Sequence, residues 1–235
     1  MCRHAAWLGA PRTLASLIHE PPYGLLVQSY APRRQRHGLI NADGYGMGWY
    51  DPARPEPVRY RRSVPMWTDA NLAALAEVAR STCLLAAVRS ATVGMPVEES
   101  ATAPFADGAW LLSHNGRVDR DAVKDLADGA ESTCDSAWLA AAVFQRGRAG
   151  AELGEALADV VVRAGEKDPA ARLNLLACDG ASLVATVWGD TLFHQRHHDG
   201  VLVASEPLDD SPGWRAVPDR ALLTVSGEDV TIQPL

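Results

Sequence analysis

No stretch of the 235-residue sequence reaches the roughly 18 to 20 consecutive apolar residues that cross a bilayer. The opening Met1-Cys2-Arg3-His4 also lacks the charged, apolar, small-residue order of a secretory signal, so a cytoplasmic location is expected. Basic charge is short as well. Twenty-two Lys plus Arg face 29 Asp plus Glu, a formal net charge of −7, and no sequence-wide positive field exists to hold nucleic acid or an anionic membrane. Cysteine pairs are missing: Cys2, Cys83, Cys134 and Cys178 form no C-x-x-C, which removes a sequence-readable zinc knuckle or redox dithiol and leaves free thiols. No internal repeat, low-complexity tract or long linker breaks the chain, and a single domain over residues 1–235 is expected.

What is present is enough apolar material for a sizeable core, 47% of residues against 22% charged. Short apolar or alternating runs bounded by Gly, Asp or Pro predict strands at Cys83–Val88, Ala109–Ser113, Arg172–Ala177, Ser182–Trp188 and Gly200–Ala204. Ala and Leu at helical spacing predict helices at Asp69–Arg80, Ser136–Arg146 and Ala151–Ala164. Helices grouped between blocks of strands predict α+β layers over a doubly wound parallel sheet. Tyr30–Asn41, with Arg33, Arg34, Arg36 and His37, and the proline-rich Asp51–Pro57 are expected to be loops.

Five clusters could carry chemistry. Removal of Met1 would place a thiol and a free α-amine on Cys2, with reference pKa values of about 8.5 and 7.7 to 8.0, so that nucleophile and base are neighbours by covalent connection. Any residue can also follow Met1 without consequence. Ser113-His114-Asn115-Gly116 offers a side-chain amide and a backbone N–H, the donor pair an acyl-transfer oxyanion needs; Asn-Gly is equally a hairpin turn. Arg89, at the end of an apolar run, can clamp a carboxylate or be a surface charge. Asp135 can hold an ammonium or cap a helix. Asp43-Gly44-Tyr45-Gly46-Met47-Gly48-Trp49 allows a ligand or a neighbouring strand to approach closely, and it lacks the Gly-Lys-Ser/Thr ending of a phosphate loop.

In this order the pieces resemble the class II glutamine amidotransferases, which are N-terminal nucleophile hydrolases, from Cys2 to Ala204-Ser205-Glu206-Pro207. The resemblance implies a four-layer αββα sandwich of two antiparallel sheets. It also implies Cys2 as nucleophile, Asn115 and Gly116 as oxyanion hole, Arg89 on the α-carboxylate of a γ-glutamyl group and Asp135 on its α-amine, with Trp49 and Gly48 lining the pocket. Synthase relatives often read Arg-x-x-Thr-His-Gly; Thr92-Val93-Gly94 here lacks the histidine, and no role is carried over to it. No second, ammonia-using active site is expected beyond the glutaminase-like part. Met1-Cys2-Arg3-His4, Ala86–Thr92 and Leu111–Gly116 are similar to the stand-alone amidohydrolases of ergothioneine assembly. That similarity implies hydrolysis of γ-glutamyl-hercynylcysteine sulfoxide to glutamate and hercynylcysteine sulfoxide.

Two other readings stand beside this one: a glutaminase subunit that delivers ammonia to a separate synthase, and a non-enzymatic γ-glutamyl or amino-acid binding module that keeps Met1. The trimethylammonium of the implied leaving group suits an aromatic cage, for which Trp49, Tyr50, Trp67 and Tyr30 are candidates, although core packing explains tryptophans equally well. His194, His197 and His198 are clustered, but Asp190–Gly200 reads as a hairpin and no carboxylate or Cys completes a zinc set. The expected partner is a small γ-glutamyl substrate, with a homo-oligomer left open and no metal, cofactor, nucleic acid or membrane.

Overall fold

A computed structural model of the chain describes residues 2–235; the expected removal of Met1 lies outside them. The chain lays down two sheets in turn. β1 (Arg3–Thr13), β2 (Tyr45–Trp49), β3 (Val58–Arg62) and β4 (Arg80–Val88) begin the first, and β5 (Phe105–Asp107), β6 (Trp110–Arg117), β7 (Arg172–Cys178) and β8 (Ser182–Val187) begin the second. β9 (Phe193–His197), β10 (Gly200–Ala204) and β11 (Arg215–Ala216) return to the first sheet, and β12 (Ala221–Ser226) with β13 (Asp229–Pro234) completes the second. The orders are β11-β9-β10-β1-β4-β2-β3 in the seven-stranded sheet and β13-β12-β8-β7-β6-β5 in the six-stranded one. Neighbouring strands run antiparallel throughout.

Helices cover both outer faces. α1 (Ala15–Ile18), α2 (Leu25–Tyr30) and α3 (Leu72–Val78) follow strands of the first sheet; α4 (Arg120–Val123), α5 (Asp135–Arg148) and α6 (Leu153–Lys167) lie between β6 and β7. The two-residue side-chain period of strands sorts the core. Ala5, Trp7, Leu84 and Ala86 pack with Leu17, Leu25 and Leu72 of the first helices. Their neighbours Ala6, Leu8, Cys83 and Leu85 face Leu111, Leu176 and Leu183 of the other sheet. Leu112, Leu173, Leu175 and Val184 face α5 and α6 through Leu139, Val143, Leu157 and Val161. The result is the expected αββα order, with both faces of each sheet buried.

The glycines of β2 serve this stacking. A Cβ on Gly48 would meet the side chain of Leu111 at 2.5 Å, and one on Gly46 would meet the carbonyl of Ala103 at 2.2 Å. Close approach of another strand, one of the two uses open to that motif, is therefore the one realised. His194 and His197 lie on β9, in a hairpin with β10, as the turn pattern predicts.

Candidate active site

Cys2 directly precedes β1, the strand between β4 and β10, where Arg3 is paired with Val88. The alternation that points Ala6 and Leu8 at the second sheet points His4 there too, and its Nδ1 lies 3.2 Å from Ser113 Oγ on β6. Burial pushes the His4 imidazole down to about 3, helped by the charge of Arg3, so it is neutral near pH 7. Cys2 falls on the same face of its strand as His4, and Asn115 on the same face of β6 as Ser113. One thiol and one amide thus come from facing sheets to one end of the sandwich. Cys2 is half-buried, its Sγ 4.0 Å from the Ser90 carbonyl oxygen, and it lines a narrow cleft with Arg89, Thr102, Ser113, His114 and Ser136.

Asn115 is fully buried, yet among the described residues neither Nδ2 nor Oδ1 has a hydrogen-bond partner. Buried amides are normally satisfied, so this one carries a desolvation cost. The Asn-Gly pair sits inside β6, opposite Asn174 and Leu173 of β7, which excludes the hairpin-turn alternative. Glycine follows because a Cβ at 116 would lie 1.9 Å from the Arg172 carbonyl oxygen.

Arg89 is 8% exposed and reaches only the Asp43 carbonyl, at 3.5 Å. No carboxylate among the described residues pairs with it directly, although its charge helps to hold the Glu98 pKa down, and its side chain lines the cleft. Asp135 opens α5, one residue beyond the capping position held by Cys134. Its carboxylate accepts from Val118 N at 3.0 Å and Ser136 N at 2.9 Å, so it ties the helix start to the end of β6. His114 is buried between them, its pKa lowered chiefly by desolvation and raised in part by Asp135. Nε2 donates to the Arg172 carbonyl, which can only accept, and Nδ1 therefore accepts from Ser136 Oγ, both at 2.9 Å.

Cys2, Arg89, Asn115, Gly116 and Asp135 gather at this end. Gly48 and Trp49 do not. The register sets Tyr45 opposite Val88 but Gly48 opposite Leu85 and Trp49 opposite Leu84, roughly 10 to 13 Å further down the strand. Trp49 packs on the first helix layer. Of the aromatics considered for a cage, Tyr50 donates to the carbonyls of Ala109 and Cys178, while Tyr30 and Trp67 form an exposed edge-to-face pair at 6.0 Å.

A buried charge network beside Cys2 escaped sequence reading. Arg3 Nε donates to the Cys2 carbonyl at 2.8 Å and Nη2 pairs with Asp190 at 3.4 Å, with both side chains fully buried. Burial lowers the Arg3 pKa from its ordinary value, and Asp190 and Glu206 oppose that. Glu206 is itself buried and accepts from Arg33 N at 2.9 Å and Arg34 N at 2.6 Å. Only partner identity, absent from a linear motif, could have revealed these links. Breaking one member of a buried pair costs about 3 to 5 kcal/mol because the other charge is stranded. Asp190→Asn is expected to lower unfolding stability by about that amount, read from the urea midpoint at unchanged m-value.

With this geometry in hand, comparisons with known proteins agree with one another. The sequence matches the family of class-II glutamine amidotransferases over residues 19–199. It is 57% identical to the gamma-glutamyl-hercynylcysteine sulfoxide hydrolase of Mycolicibacterium smegmatis over 100% of both chains. It is 55% identical to the protein of that name from Mycobacterium tuberculosis, over 100% of this chain and 97% of the other. A glutamine aminotransferase class-II domain protein from Silicibacter pomeroyi superposes with a TM-score of 0.71 at 26% identity, covering 99% of each chain. The glutamine phosphoribosylpyrophosphate amidotransferase of B. subtilis superposes at 0.73 with 14% identity, over 100% of this chain but 49% of that one, a likeness of fold alone.

Proposed function

The chain belongs to the class II glutamine amidotransferases, and from that membership we propose that it hydrolyses γ-glutamyl-hercynylcysteine sulfoxide to glutamate and hercynylcysteine sulfoxide. The observation that carries the chemistry is the fully buried Asn115 with its unpartnered amide, on the strand facing Cys2. The substrate follows the names of the relatives that match over the whole chain.

In this mechanism Cys2 is the terminal residue. Its Sγ attacks the γ-carbonyl carbon as the thiol proton passes to the α-amine. The oxyanion rests on Asn115 Nδ2 and the Gly116 N–H. Collapse breaks the C–N bond, the departing amine takes the proton from the α-ammonium, and a thioester remains. Water, giving a proton to the same α-amine, attacks the thioester; glutamate leaves and the thiol is restored. Arg89 takes the α-carboxylate of the glutamyl group and Asp135 its ammonium.

The test is a comparison of kcat/KM for the sulfoxide, for glutamine and for small γ-glutamyl amides. Strong preference for the sulfoxide is expected; equal or better use of glutamine, rising with a copurified partner, would point to an ammonia-delivering subunit instead. Charge-assisted hydrogen bonds contribute about 1.5 to 3 kcal/mol. Arg89→Gln is accordingly expected to raise KM about 10- to 100-fold for every γ-glutamyl substrate, since the lost contact is to the part they share. An unchanged KM in steady-state assays removes Arg89 from that role.

A further inference from the structure

The glutamyl cleft lies on the β4 side of β1, lined by Arg89 and the facing β6. The opposite flank of β1 is β10, whose continuation runs past the nucleophile: Ser205 N donates to the His4 carbonyl at 2.9 Å, and Glu206 acts electrostatically on Arg3. An amide carries its acyl and amine parts on opposite sides of the scissile bond. An amine leaving on the side away from the glutamyl cleft would depart toward this second flank.

Two solvent-open cavities lie there, beside Glu206 and Asp190. Arg34 lines the first and Arg36 the second, and the Arg34 guanidinium lies 5.8 Å over Phe193 between them. Their loop is held from beneath, because both oxygens of buried Glu206 are spent on the Arg33 and Arg34 amides. Arg33 is also spent, on Asp210 at 2.9 Å and stacked 4.0 Å over Tyr23. Arg34 and Arg36 have no carboxylate partner among the described residues. In the first cavity Trp214 Nε1 donates at 2.9 Å to Asp209 Oδ1, which also accepts from Ser211 N and Oγ, and this fixes an indole beside a carboxylate.

We infer that Arg34, Arg36, Trp214 and Asp209 form the subsite for the leaving amine, with the two guanidinium groups taking its carboxylates and the indole and Asp209 taking its trimethylammonium. The inference rests on the hydrolase reading above. Hercynylcysteine sulfoxide carries both carboxylates and a quaternary nitrogen, whereas ammonia carries neither. A mixed-charge, aromatic-walled recess suits the first product and is superfluous for the second.

The test titrates hercynylcysteine sulfoxide itself into wild type and into the Arg34→Gln/Arg36→Gln double variant by calorimetry, which needs no turnover. Binding is expected to weaken about 10- to 100-fold, and the ratio of kcat/KM on the sulfoxide to that on γ-glutamyl methylamide is expected to fall equally far. Trp214→Leu should narrow the preference for trimethylated over unmethylated product about 3- to 30-fold. Equal losses on both substrates, or unchanged product binding, overturn the subsite while leaving the hydrolase intact. A wild type that does not turn over the sulfoxide overturns the hydrolase reading and the subsite with it.

Discussion

Cys2→Ala is expected to reduce hydrolysis to background, a loss on the order of 10⁶-fold if the nucleophile counts here as it does in other covalent hydrolases. Alanine is as small as cysteine at the position that governs removal of Met1, so the variant keeps a free α-amine and lacks only the sulfur. That separates nucleophile from base within one residue. Binding should survive, because the Arg89 guanidinium and the Asp135 carboxylate are untouched; the dissociation constant of glutamate, read by calorimetry without turnover, should stay within a few-fold of wild type. Intact-mass measurement gives the second readout. Wild type exposed to an electrophilic glutamine mimic should gain one adduct on Cys2, and Cys2→Ala none. Labelling of Cys83, Cys134 or Cys178, all buried, or turnover by the alanine protein would end the mechanism.

Much of the sandwich was legible in the sequence, for a specific reason. Gly200–Ala204 and Arg172–Cys178 are apolar on both faces because each sheet is covered twice, and a short apolar run bounded by turns is the signal such strands leave. β1 was not legible. Arg3–Thr13 carries Arg3, His4 and Gly9 among its apolar residues, and its central place between β4 and β10 depends on partners distant in sequence. The helix expected at Asp69–Arg80 forms only over Leu72–Val78 because Arg80 already belongs to β4. Asp69 meanwhile accepts hydroxyl hydrogen bonds from Tyr45 at 2.5 Å and Tyr60 at 3.1 Å, contacts that periodicity does not encode.

The site divided along the same line. The residues proposed here for the chemistry, Cys2, Arg89, Asn115, Gly116 and Asp135, lie at or near a strand end or a helix start, where type and position in the sequence are enough to nominate them. Gly48 and Trp49 could not be placed, since their distance from Cys2 is decided by the register of β2 on β4, and a one-residue change of register moves every side chain. Arg3, Asp190 and Glu206 were invisible because their meaning lies in one another.

Asn115→Leu is expected to lower kcat about 10²- to 10³-fold, the usual effect of losing one oxyanion donor, with KM nearly unchanged because the oxyanion exists only after attack. Stability should move the other way. A buried amide with neither atom bonded carries a desolvation penalty of about 1 to 3 kcal/mol, and leucine, which keeps the same branched four-atom skeleton without polar atoms, removes it. The variant is therefore predicted to unfold at equal or higher urea concentration than wild type. A residue present for packing or strand pairing would show the reverse, a weaker fold and activity lost in proportion. Opposite signs on the two axes are the signature of a side chain kept under strain for catalysis. A destabilised Asn115→Leu protein with wild-type kcat would show that the unpartnered amide faces nothing that reacts.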